Sequence, residues 1–236
     1  MITLLKIMSI KNGILSSMCL AAGGLVLVAI LGFLFGLMED GPDKFVPLIT
    51  LLSTLGLALL VSIIIVSLGK IDIKSFVVNE MRLGENPNYA QLLGYVIGGL
   101  VLSVVGSSFM VWTASNIGAE SLVPTVDYAN IVFRGPFLLL SIISLAVLVP
   151  ISEEIFFRSY LSKNFHRLGI VAKIALSSGI FALFHAGQLE IIVILSTFFT
   201  GAILGFVYHK FRSVTPCILI HAGQNLLVIG ITVILN

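Results

Sequence analysis

The chain has 236 residues, 58% of them hydrophobic and only 10% charged, and its mean hydropathy is +1.15. A soluble domain carries about 25% charged residues, so the composition excludes one and predicts an integral membrane protein. The formal net charge of +2 is too small to point to nucleic acid as a partner.

Lys6 and Lys11 precede an apolar run from Ile14 to Met38, the charge pattern of a signal sequence. Signal cores are about 7–15 residues long. This run is longer and no convincing cleavage site follows it, so 14–38 reads as a retained first span. A spanning helix needs about 20 apolar residues. Further spans are expected at 46–68, 90–112, 134–150 with an extension, 170–187, 189–207 and 215–234. The apolar stretch from 168 to 207 is too long for one crossing, which predicts a tight turn near Gly187. The expected fold is an all-α polytopic membrane protein with about seven transmembrane helices.

Orientation follows from the cytoplasmic excess of Lys and Arg. Lys6, Lys11, Lys70, Lys74, Arg82, Arg158, Lys163, Arg167, Lys173, Lys210 and Arg212 fall on one side of the alternating scheme. Lys44 and Arg134 fall on the other, with Glu39, Asp40, Asp43, Glu120 and Asp127. The N-terminus is therefore expected inside and the C-terminus outside. Cys19 and Cys217 lie in apolar stretches, which argues against a disulfide framework. Loops 69–89 and 113–133 are too short to bury a core. Residues 1–133 are read as three spans without a motif, and 134–236 as a four-span core that carries the chemistry.

Ionisable side chains at membrane depth persist where they face protein or a hydrated cavity. Four clusters qualify: Glu153/Glu154/Arg158, His185 with Gln188, His221, and Gln224/Asn225. Pro150 has no backbone N–H and is expected to bend or break the fourth span. Ser152 would then cap a renewed helix with both glutamates in its first turn. Glu154 and Arg158 stand at the spacing of a helical ion pair, leaving Glu153 to meet water or substrate. Phe181 and His185 share one helix face, as do His221 and Asn225, and "HAGQ" occurs at 185–188 and again at 221–224. At 1.5 Å per residue from the cytoplasmic turns near 166–169 and 212–214, Glu153 lies about 18 Å deep, His185 about 22–25 Å, His221 about 10–12 Å and Asn225 about 16–18 Å. A shared site in the cytoplasmic half of the bilayer is feasible. Each group also has a structural reading: an interfacial ion pair for Glu154 and Arg158, packed and hydrogen-bonded residues for His185 and Phe181, interhelical glue for Asn225. His166, His209 and Glu190 read as surface. The conjunction of Glu, His and His–Asn in the last four spans tips the balance toward a site.

Three motifs then stand in order: "EEIFFR" at 153–158, "FALFH" at 181–185 and "HAGQN" at 221–225. Over about 135–234 the chain resembles the CPBP intramembrane proteases. These include type II CAAX prenyl proteases and bacterial Abi proteins associated with bacteriocin self-immunity. The resemblance implies an intramembrane endopeptidase in which Glu153 and His185 activate water and His221 and Asn225 stabilise the oxyanion. Glu154 and Arg158 would fix the motif helix. The expected substrate is a membrane-associated peptide or protein, with CAAX-type processing, in the cell membrane. Glu153, His185 and His221 also make a feasible zinc set, although a metal-independent glutamate mechanism suits the His–Asn pair better, with no cofactor required. The alternatives are a non-enzymatic immunity protein that binds a bacteriocin or its receptor, and a small transporter. The paired broken helices usual for the latter are missing.

Overall fold

The computed structural model describes residues 72–117, 137–185 and 191–235, with isolated positions between 11 and 23. The expected spans 14–38 and 46–68, the turn near Gly187, Gln188, Glu190 and Cys19 lie outside those residues, as does most of the loop at 113–133. Helices are numbered here in chain order of the described ones: α1 (Ile73–Met81), α2 (Tyr89–Asn116), α3 (137–164), α4 (Ile170–Phe184), α5 (Ile191–Phe211) and α6 (Thr215–Leu235). No strand occurs among the described residues.

Four of these helices are long and apolar enough to cross a membrane: Tyr89–Asn116, Leu138–Asn164, Ile191–Phe211 and Thr215–Ile234. They are the helices of an integral membrane protein. The fifth expected span corresponds to α4, which has 15 residues. At 1.5 Å per residue it reaches about 22 Å, short of a hydrocarbon core of about 30 Å.

The largest departure from expectation is in α3. The helix does not break at Pro150; it runs through as alternating α and π segments, with π turns at Ile142–Leu148 and Ile155–Leu161. Ser152 caps nothing. Its hydroxyl donates back to Leu148 O (2.9 Å) and Val149 O (3.0 Å), as a mid-helix serine does. Glu153 and Glu154 therefore sit in the body of a long helix and gain nothing from a helix N-terminus.

Capping explains α1. Asp72 accepts from Ser75 N at 2.8 Å, and hydrogen bonds from Ser75 hold its carboxyl below the usual carboxylate range. At the other end the α5–α6 turn supplies the donors that the last carbonyls lack. Val214 N donates to Glu80 O (2.8 Å) and Thr215 Oγ1 to Met81 O (2.7 Å). Glu80, itself buried, receives the Tyr208 hydroxyl at 2.8 Å and pairs with Lys163.

Between lipid-facing helices, small residues permit the close approach from which packing energy comes. A Cβ on Gly201 would stand 3.1 Å from Ser178 Cβ, and one on Gly205 3.1 Å from an Ile174 methyl. These two glycines, four apart on α5, seat α4. Likewise α2 packs on α5 and α6 through Gly99 against Ile220 and Gly106 against Phe199. The core gathers on the C-terminal half of α3 and the residue that follows it, where Phe156, Phe157, Leu161 and Phe165 are fully buried with Leu204, Val207, Val214 and Ile220. Cys217 is buried and free.

Candidate active site

Pro150 decides how the site is assembled. In the π segment each N–H reaches back five residues, as Val149 N does to Ser144 O. The next carbonyl, Leu145 O, would be served by residue 150, which has no N–H to give. Asn225 Nδ2, from α6, donates to it at 2.6 Å. The proline thus opens an acceptor on α3 that α6 fills, and α6 is docked where His221 meets the glutamates.

The two glutamates are then divided by their partners. Glu154 is completely buried; its Oε2 accepts from Arg158 Nε at 2.8 Å and its Oε1 lies 2.9 Å from His221 Nδ1. A carboxylate oxygen only accepts, so His221 Nδ1 carries the hydrogen and Nε2 turns the other way. Nε2 stands 3.8 Å from Glu153 Oε2. That oxygen has no hydrogen-bond partner among the described residues. The gap is too long for a direct hydrogen bond, yet a water about 2.8 Å from each atom would bridge them.

A cavity of about 140 Å³ opens beside this cluster, lined by Phe181, His185, Ser196, Thr197, Thr200, His221, Gln224 and Asn225. His185 Nδ1 is 3.0 Å from Phe181 O, so it donates to its own helix and leaves Nε2 for the cavity. Phe181 forms the wall between the imidazoles, with ring centroids 4.8 Å from His185 and 6.0 Å from His221. The Arg158 guanidinium lies over the same ring, 4.7 Å from its centroid. The motif residues are therefore brought together in two linked groups. Glu153, Glu154, Arg158 and His221 are joined by polar contacts; His185, His221 and Asn225 share the cavity. Glu153 is not among the cavity-lining residues and connects to it through His221.

Sequence reasoning overlooked α5. Ser196, Thr197 and Thr200 line the cavity, and neither Thr200 Oγ1 nor Gln224 Oε1 has a partner among the described residues. The signal was present: hydroxyls at i, i+1 and i+4 in an otherwise apolar span mark one helix face.

Residues 135–227 match the family model described as type II CAAX prenyl endopeptidase Rce1-like. That segment is similar to the Rce1-like family. The match takes in all three motifs and less than half of the chain, with α1 and α2 preceding it. No curated protein and no solved structure matches the chain. The family is one of proteases, and the matching segment carries every polar group just described. As for the alternative zinc set of Glu153, His185 and His221, no three His, Cys, Asp or Glu side chains among the described residues form a group that could hold a metal ion. In this segment His221 spends Nδ1 on Glu154 and His185 spends Nδ1 on a carbonyl, which leaves Nε2 of each ring open to a water, a substrate or a metal ion.

Proposed function

We propose that the protein is an intramembrane endopeptidase of the cell membrane that hydrolyses a peptide bond in a membrane-associated, CAAX-type substrate. The observation that supports this most is the division of labour between adjacent glutamates. Glu154 is saturated by Arg158 and His221, while Glu153 keeps an unpartnered oxygen facing His221 Nε2.

In this reading Glu153 takes a proton from a water, and the resulting hydroxide attacks the scissile carbonyl carbon. His185, through Nε2, orients the water. The tetrahedral oxyanion receives hydrogen bonds from the second N–H of Asn225 and from His221 Nε2 in its imidazolium form. Collapse breaks the C–N bond, the Glu153 carboxylic acid returns its proton to the leaving amine, and an acid and an amine are released. Every step uses side chains of this chain, and no metal is required. Thr200 and Gln224 would hold the substrate backbone in the cavity. A larger apolar cleft of about 410 Å³ between α4 and α5, lined by Leu176, Ile180, Leu183, Ile194 and Phe198 among others, suits the hydrocarbon of a lipid-modified peptide.

Membrane proteomics comparing wild type with Glu153→Gln tests the reading. Uncut substrate is expected to accumulate in the variant while the protein remains inserted. Full cleavage by Glu153→Gln would overturn it.

A further inference from the structure

A second polar concavity lies where the ends of α3 and α5 meet the start of α4. It is lined by Arg158, Ser162, Lys173, Ser177, Tyr208, His209 and Arg212 with a few apolar neighbours, and no acidic residue is among them. We propose that this is a binding site for a phosphate group, presented by an acidic lipid headgroup.

Four independent features converge there. First, Arg158 is 1% exposed, and although its Nε is satisfied by Glu154, its Nη2 has no partner among the described residues. An orphaned guanidinium nitrogen at that depth is costly unless something meets it. Second, Lys173 and Arg212 make no ion pair among the described residues, so two cations face the same hollow uncompensated. Third, α4 begins here on Gly169, which has no side chain to cap the first turn. Its leading N–H groups and the positive end of its dipole are open to an anion. Fourth, Arg212 is the one described non-glycine residue with a positive φ, 53°. Holding an arginine in the left-handed region is unfavourable, and here it carries the guanidinium to the rim of the hollow.

The position favours a lipid over a free ion. The site sits at the ends of two membrane-crossing helices, where headgroups lie, and Ile170 and Val171 beside it are exposed. The enclosed space is about 20 Å³. That volume admits about one oxygen atom, so a phosphoryl oxygen would reach Arg158 Nη2 while the rest of the group lies between Lys173 and Arg212. Bidentate and charge-assisted contacts of this type are the stronger class of hydrogen bond.

Native mass spectrometry of the detergent-solubilised full chain tests the site, using dioctanoyl phosphatidic acid, dioctanoyl glycerol with the same chains and no phosphate, and inorganic phosphate as competitor. Wild type is expected to bind the phosphatidic acid at least about tenfold tighter than the glycerolipid, as two or more charge-assisted contacts require. Lys173→Gln and Arg212→Gly should each erode that preference, and the double variant should erase it. The glycine relieves the positive φ, so Arg212→Gly removes the charge without straining the turn. Displacement by inorganic phosphate at equal concentration assigns the site to free phosphate, and resistance to it assigns the site to the headgroup; either supports a phosphate site. Equal binding of the two lipids by wild type, or an undiminished preference in the double variant, overturns it.

Discussion

Glu153 and Glu154 are neighbours of the same chemical type, and their replacement should have opposite consequences. In Glu154→Gln the side chain keeps its shape but presents one carbonyl oxygen and one NH2 to two donors, Arg158 Nε and His221 Nδ1. One charge-assisted hydrogen bond is lost, and the Arg158 charge, 1% exposed, loses its counter-ion. Removing one partner of a buried pair costs about 3–5 kcal/mol, and burial at this level leaves no solvent to screen it. Glu153→Gln disturbs no protein hydrogen bond at Oε2, so its stability should stay within about 0.5 kcal/mol of wild type. Equilibrium unfolding in mixed micelles reads the difference, with peptide cleavage measured on the same samples. Glu153→Gln should be folded and inactive; Glu154→Gln should be markedly less stable. Equal stability losses for the two variants would refute the assignment of Glu154 as the anchored carboxylate.

Asn225→Ala should cost about 1–3 kcal/mol by orphaning Leu145 O. Adding Pro150→Ala restores an N–H in register with that carbonyl and should recover most of the stability but none of the cleavage, as a double-mutant cycle of unfolding will show. Gly201→Val should lower stability by about 1–3 kcal/mol through overpacking against Ser178, whereas Gly94→Ala, inside α2 with nothing within 4 Å of the added Cβ, should raise it by about 0.5–1 kcal/mol. Cleavage should survive 1,10-phenanthroline and EDTA, and purified protein should carry substoichiometric zinc; loss of activity that zinc restores would contradict the metal-independent mechanism.

Local rules found much of this in the sequence. The i,i+4 spacing predicted the Glu154–Arg158 pair, and hydropathy located five of the expected spans where helices are described. The proline rule misled because it assumes an α register. In a π register the missing N–H falls on a different carbonyl, and its replacement comes from a residue 80 positions away. His221 was expected to act beside Asn225 on an oxyanion. That it also touches both glutamates depends on how α6 crosses α3, which no short window encodes. The glycines of α5 and the hydroxyls of its cavity face were readable as spacings but carried no charge to draw notice.

The buried carboxylate of Glu80 has a consequence for where this protein begins as a folding unit. It lies upstream of the Rce1-like segment, yet it accepts the Tyr208 hydroxyl and receives Lys163 from within that segment. A fragment starting at 135 would keep all three motifs while stranding a phenol in the protein interior and stripping α2 from two helices. Such a piece should express poorly beside one starting before Asp72, so the recognisable stretch of sequence is shorter than the stretch that must fold together.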